Sequence, residues 1–281
     1  MKITSLLNQS TITTTICAGA VMLAAAGASA QNLYVDAGSS GSADIYQITP
    51  GGVQTPVATG MNYPDAIAFD SQGNLFVANT ALNNGQQGNI TEVKAGGGTT
   101  VFASGLDPEG LAFNKAGDLF ECEYRTGVIN EFTPLGVETP FATGLANPIA
   151  MAFDNFGNLF VGAGYGAGGG YIEEITPGGV ASTFASGLTF PQGIAFNSIG
   201  DMFVSENSTG IIYEYTAGGA RSTFATLSQT DLNGIAFNST GDLFVSGGHS
   251  DSIIEITPDG TPSTFVSGLS FTPQNLAFQG L

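Results

Sequence analysis

Short apolar runs alternate with turn residues along the chain from residue 32 onward. Each unit has an apolar run ending in Ala-Phe, a turn with Asn or Asp and glycine, and a second run ending in Phe-Val or a close variant. Two more runs follow, and the first of them alternates apolar and polar residues. No apolar pattern keeps a helical period for three turns. We therefore predict an all-β chain with four short antiparallel strands in each unit.

The unit recurs at intervals of 40 to 44 residues, which is the length of a β-propeller blade. Its anchor phenylalanines are Phe69, Phe113, Phe153, Phe196, Phe237 and Phe278. Asn32 begins at the second strand of a unit, and the chain ends just after a first strand. Pairing of these two partial units makes a whole blade and removes two exposed sheet edges. The sequence predicts one six-bladed β-propeller over residues 31–281, closed by its terminal strands.

The first 30 residues have the three parts of a secretory signal peptide. Lys2 precedes an apolar stretch at 16–27, and small residues frame a cleavage site before Gln31. The stretch is shorter than the roughly 20 residues of a transmembrane helix. We expect a secreted or periplasmic mature protein without membrane insertion. Its one cysteine, Cys122, allows no intramolecular disulfide.

The chain is strongly acidic, with 5 Lys and Arg against 23 Asp and Glu and a formal net charge of −18. So few basic residues cannot form a basic patch, which excludes nucleic acid and anionic membranes as partners. A small molecule or another protein is left as the partner. We expect the chain itself to be a monomer.

Loops that enter a first strand and loops that leave a second strand share one face of a propeller. The residue four positions before each anchor phenylalanine lies on this face, at the mouth of the central channel. The six residues are Asp65, Glu109, Ile149, Gln192, Asn233 and Gln274. Five of them carry a side-chain oxygen. They either line a water-filled channel or bind a ligand.

Glu121 interrupts its repeat, because every other blade has valine in that register. Period-two geometry places Glu123 on the same side, and Arg125 follows just beyond the strand. A carboxylate between blades is costly unless it is paired or hydrogen-bonded. Either Arg125 neutralises Glu121, or the two carboxylates face a ligand.

Three more residues extend this face. Asn79 and Glu206 share the register of Glu123, and His249 lies in a loop between a second and a third strand. His249 is the only histidine, which argues against a Ser-His-Asp triad and a His-rich zinc site. It is either simply exposed or a lone general base.

Residues 191–206, PQGIAFNSIGDMFVSE, resemble an NHL repeat. More broadly, residues 32–281 are similar to the senescence-marker-protein and gluconolactonase superfamily of six-bladed propellers. The resemblance implies a ligand or metal at the channel mouth, where Asp65, Glu109 and Asn233 look like the metal ligands of lactonase-type members. Oxygen ligands suit Ca²⁺ or Mg²⁺. Ile149 and the order of the acidic and amide residues depart from that pattern. The register of Glu123 and Glu206 also resembles the glutamate of streptogramin-lyase propellers, without a clear match for their histidine.

Two functions from different classes follow. The first, slightly favoured, is a module that binds a small molecule or a protein, because the blades are nearly identical, charges are few and a general base is missing. The second is a metal-dependent hydrolase of lactones or related esters, in which a divalent ion polarises the carbonyl.

Overall fold

A computed structural model describes residues 31–38, 43–80, 87–166 and 169–280. The predicted signal peptide lies outside the described residues, and its cleavage stays a prediction. No helix in the described ranges is long and apolar enough to cross a membrane.

The described residues form 24 β-strands and one 3₁₀ turn at Gly248–Ser250. The chain opens with β1 (Leu33–Asp36), β2 (Ala43–Ile48) and β3 (Gln54–Met61). Blade 1 follows with β4 (Pro64–Phe69), β5 (Leu75–Asn79), β6 (Gly88–Val93) and β7 (Thr99–Leu106). Blade 2 has β8 (Pro108–Phe113), β9 (Leu119–Glu123), β10 (Ile129–Phe132) and β11 (Glu138–Ala142). Blade 3 has β12 (Ala150–Phe153), β13 (Leu159–Ala163), β14 (Gly170–Ile175) and β15 (Ala181–Leu188).

The remaining strands complete the ring. Blade 4 has β16 (Pro191–Phe196), β17 (Met202–Glu206), β18 (Ile211–Tyr215) and β19 (Arg221–Thr226). Blade 5 has β20 (Leu232–Phe237), β21 (Leu243–Gly247), β22 (Ser252–Ile256) and β23 (Pro262–Ser267). The last strand, β24 (Leu276–Phe278), joins β1, β2 and β3 to make blade 6. Every blade is a four-stranded antiparallel sheet, and the first strands of consecutive blades touch one another around the ring.

The predicted closure of the ring is confirmed. Leu33 stands opposite Phe278 and Val35 opposite Leu276, so β24 pairs antiparallel with β1. The backbone N–H of Asn275 also donates to the carboxylate of Asp36 at 3.2 Å. The six-bladed all-β architecture predicted from the repeat is therefore present.

The hairpin between the first two strands of a blade explains the recurring Asx and glycine residues. In blade 1, Oδ1 of Asp70 accepts from the N–H groups of Gln72 and Asn74 at 2.9 and 2.8 Å. Gly73 has φ of +82°, a conformation that residues with a Cβ rarely adopt. The turn is thus set by local chemistry.

Aromatic rings pack between neighbouring blades. Each anchor phenylalanine meets the second-strand aromatic ring of the preceding blade edge-on. The pairs are Tyr34–Phe69, Phe76–Phe113, Phe120–Phe153, Phe160–Phe196, Phe203–Phe237 and Phe244–Phe278, with centroids 4.8 to 5.2 Å apart. Such edge-to-face pairs add to the burial energy of the rings. The repeat of phenylalanine therefore fixes how the blades stack.

Candidate functional site at the channel mouth

First strands begin, and second strands end, on one face of the ring, called here the mouth face. In blade 1, Pro64 pairs with Asn79 but Ala66 pairs with Ala78, so Asp65 is an extra residue in the ladder. Glu109 and Gln192 are extra residues at the same place in β8 and β16. Such β-bulges re-aim a side chain and are common beside functional sites. In blades 1, 2 and 4, the polar residue after the proline that opens the first strand therefore lies outside the regular strand pairing.

The other three predicted mouth residues are in blades 5, 3 and 6, and their local structures differ from one another. Asn233 is buried within an irregular stretch between Leu232 and Ile235. The side chain of Ile149 is buried, and its N–H donates to the carbonyl of Gly162 at 2.9 Å. Gln274 precedes β24, and its side chain packs against Gly38.

Four carboxyl groups on blades 6, 1 and 2 form a single electrostatic group, called here the mouth acids. They are Asp36, Asp65, Asp107 and Glu109. Burial, followed by the charges of Asp65 and Asp107, raises the pKa of Glu109 to about 8, against the lowering effect of Arg125. Burial also raises the pKa of Asp65 to about 6, with a hydrogen bond from Thr80 lowering it and Asp107 raising it.

Asp36 is the most deeply buried of the mouth acids. Burial, and then the charge of Asp65, raises the pKa of its carboxyl well above the usual range, although backbone N–H groups oppose the shift. Sequence reasoning missed Asp36 and Asp107. Asp36 occupies the repeat position at which other blades have small residues such as Ala78 and Cys122. A carboxylate at this position was the sequence feature that could have identified it.

Arg125 brings a positive charge to the mouth acids. Its Nε lies 3.1 Å from Oδ2 of Asp107, and its charge lowers the pKa of Glu109. Arg125 therefore already neutralises part of the negative charge of the mouth acids.

The two interpretations of Glu121 both need correction. Glu121 is fully buried, so it does not face a ligand in solution. The amide of Asn130 donates to its Oε2 at 3.0 Å, while Oε1 has no hydrogen-bond partner in the described part of the chain. Burial raises the pKa of Glu121 to about 8, so at neutral pH a proton neutralises it in place of the proposed Arg125 pairing.

Glu123, Glu206 and Asn79 share one role that the sequence did not reveal. Each accepts a hydrogen bond from a backbone N–H in the loop that leads into the first strand of its own blade. The donors are Asp107 at 3.2 Å, Thr189 at 2.5 Å and Asn62 at 3.3 Å. These side chains hold the loops that carry the mouth residues.

His249 is not a lone imidazole. It lies in the 3₁₀ turn of blade 5, and its Nδ1 is 3.0 Å from Oδ2 of Asp231. The side chain is 93% exposed, so its other face meets solvent. The pair lies on a different part of the ring from the mouth acids.

Aromatic side chains continue the mouth face beyond Glu109. Burial raises the pKa of Tyr124, and the neighbouring Tyr165 and Glu109 raise it further, Tyr165 also through a hydrogen bond. The ring of Tyr165 is edge-on to Phe190 with centroids 6.1 Å apart. These rings come from blades 2 and 3 and from the loop before blade 4, so an aromatic arc adjoins the acidic cluster.

The residues proposed for a divalent ion fit it only in part. Asp65 and Glu109 offer carboxylate oxygens, but both ends of the Asn233 amide are engaged by the protein. Its oxygen accepts from Asn207 at 3.0 Å, and its nitrogen donates to the Pro273 carbonyl at 3.3 Å. Within the described ranges, no group of three His, Cys, Asp or Glu residues is arranged to hold a metal. The described mouth residues therefore do not form a complete site for a divalent ion.

We compared the sequence and the structure with known proteins. The sequence matches no protein-family profile and no curated protein. The structure is similar to a candidate gluconolactonase, with TM-score 0.67 and 18% identity over 79% of this chain and 87% of the other. It is also similar to a streptogramin B lyase structure, with TM-score 0.66 and 15% identity over 89% and 91% of the two chains. The likeness is one of fold.

A third solved structure has a similar fold. Virginiamycin B lyase from Staphylococcus aureus has TM-score 0.62 and 17% identity, over 77% of each chain. All three similarities lie below the identity at which activity can be transferred. The chain is a six-bladed propeller of the kind found in gluconolactonase-like proteins and streptogramin B lyases. A shared fold does not establish a shared activity.

Proposed function

We propose that this protein is a ligand-binding propeller that takes a small organic cation at the channel mouth. The observation that carries the proposal is the environment of Glu109, which lies among Asp65 and Asp107 and beside Tyr124. Carboxylates give charge complementarity, and aromatic faces attract ammonium groups. We also propose that the protein acts outside the cytoplasm, which the leader at residues 1–30 supports.

Calorimetric titration with choline tests the proposal. We expect saturable 1:1 binding, weakened about tenfold or more by Glu109→Gln or Asp65→Asn, since each removes a carboxyl group that the bound cation would hold in its ionised form, without changing size. Glu214→Gln removes one charge from the third strand of blade 4 and is the matched control, for which we expect no change. The proposal would be contradicted if the wild-type protein did not bind choline. It would also be contradicted if Glu109→Gln and Glu214→Gln bound choline equally well.

The second candidate is a divalent-metal-dependent hydrolase of the gluconolactonase type. The raised pKa values of Asp65 and Glu109 favour it, because crowded carboxyls lacking full counter-charge also suit a cation such as Ca²⁺. This candidate requires Ca²⁺ or Mg²⁺ to stabilise the fold, by about 2.7 kcal/mol at a hundred times the dissociation constant. Calcium-dependent melting together with lactone hydrolysis, and no choline binding, would replace the binding function with this one.

A further inference from the structure

A second cleft opens on the face opposite the mouth, between blades 3 and 4. It has a volume of about 280 Å³ and is walled by aromatic side chains, among them Phe160, Phe184 and Phe196. Blades 1 and 2 form an equivalent cleft of about 240 Å³, in which Phe76, Phe102 and Phe113 take the same places. The two clefts are built from matching positions of the repeat. A residue that differs between them can therefore be compared directly for its effect on ligand binding.

The rims of the two clefts differ most. In the blade 3–4 cleft the hairpin turns contribute Phe156 and Ile199, whose residues are 85% and 79% exposed. The matching residues of the blade 1–2 cleft are Gln72 and Ala116. Large apolar side chains left in water at a cleft opening are typical of a binding site. Only the blade 3–4 cleft of this pair has them.

The blade 3–4 cleft has one polar side chain, Tyr215, in its aromatic wall. Tyr215 occupies a position in which the other third strands have aliphatic residues or Phe132. Its hydroxyl is closed to water, and no group in the described part of the chain completes a hydrogen bond with it. Burial raises the pKa of Tyr215, and Arg221 lowers it, first through a hydrogen-bond interaction with the hydroxyl and then through its charge. Arg221 therefore lies close to the hydroxyl without completing a hydrogen bond of full geometry. A buried hydroxyl whose hydrogen bond is incomplete is destabilising, so a further partner in the cleft would stabilise it.

We propose that the blade 3–4 cleft binds a small neutral aromatic molecule with one hydrogen-bonding oxygen, of the phenol class. A dry cavity of about 150 Å³ already accepts benzene, so the volume suits one substituted ring. The ring packs between Phe156 and Ile199 and against the aromatic wall, and its oxygen partners the Tyr215 hydroxyl after a side-chain adjustment of that wall. Glu174 also lines the cleft and disfavours an anionic ligand.

Titration with p-cresol and toluene, followed by calorimetry or ligand-observed NMR, tests this site. We expect one p-cresol site in the wild-type protein. Tyr215→Phe should weaken p-cresol by roughly three- to tenfold and leave toluene unchanged. Blade 2 already has phenylalanine at this position, so the variant should fold. Absence of saturable p-cresol binding, or equal weakening of both ligands, would overturn the proposal.

The twin cleft supplies the matched control. Phe156→Gln with Ile199→Ala copies the blade 1–2 rim and should abolish p-cresol binding. Gln72→Phe, Ala116→Ile and Phe132→Tyr together copy the blade 3–4 cleft and should raise the stoichiometry from one to two. An unchanged stoichiometry would count against the assigned determinants. Glu109→Gln should leave p-cresol binding intact. The proposal for this cleft and the proposal for the channel mouth are therefore tested separately.

Discussion

Deletion of residues 272–281 is expected to abolish the cooperative folding of the ring. The deletion removes β24, which pairs with β1, and it removes Phe278 from the core that contains Leu33 and Phe244. Loss of one large buried aromatic residue alone costs about 3–5 kcal/mol, against a typical total stability of 5–15 kcal/mol. Two open sheet edges would also promote association.

Thermal unfolding and size-exclusion chromatography measure both effects. Deletion of residues 280–281 alone, which spares β24, is the control and should leave the melting temperature near that of the parent. A 272–281 deletion protein that stays monomeric and melts with the parent would show that the terminal strands do not close the ring.

Replacement of the buried Glu121–Asn130 pair is expected to stabilise the protein most at alkaline pH. Blade 5 has Val245 opposite Ile254 where blade 2 has Glu121 opposite Asn130. The variant Glu121→Val with Asn130→Ile therefore copies a pairing that the fold already uses. Well-packed apolar replacements of buried polar pairs are often neutral or stabilising.

The pH dependence follows from the raised pKa of Glu121. Unfolded chains ionise this group near pH 4.5, whereas the folded protein holds its proton until about pH 8. Its contribution to stability is therefore complete below pH 4.5 and is lost as pH rises to about 8, by on the order of 2–5 kcal/mol.

Urea unfolding at pH 5 and pH 9 compares wild type and double variant. The wild type should lose more stability between these values than the variant does, and Glu121→Val alone should gain less because it leaves the Asn130 amide without its acceptor. Equal pH dependence in wild type and double variant would show that Glu121 does not carry a raised pKa.

The sequence was sufficient for the fold because each blade repeats the same local chemistry. The phase of the repeat at Asn32 and Phe278 predicted closure, and spacing from the anchor phenylalanine located Asp65 and Glu109. It did not predict the β-bulges, since these depend on strand register. Nor did it predict that a proton neutralises Glu121, because that outcome needs the burial of the side chain and the cross-strand position of Asn130.

The mouth acids were found only in part for a related reason. Asp107 precedes a proline in a loop, and its proximity to Glu109 and Arg125 arises from the folded loop. Asp36 lies in β1 of blade 6, about 70 residues before Asp107 and Glu109 in the sequence. Electrostatic groups assembled across blades leave no spacing in the sequence that would identify them.

Carboxyl-selective ¹³C NMR titration of Glu109, with and without choline, tests the channel-mouth site most directly. Glu109→Gln assigns the resonance. We expect a pKa of about 8 for Glu109 in the free protein, lowered by choline because the bound cation favours the ionised form. A Glu109 carboxyl that titrates near 4.5, with no response to choline, would contradict the proposed binding site.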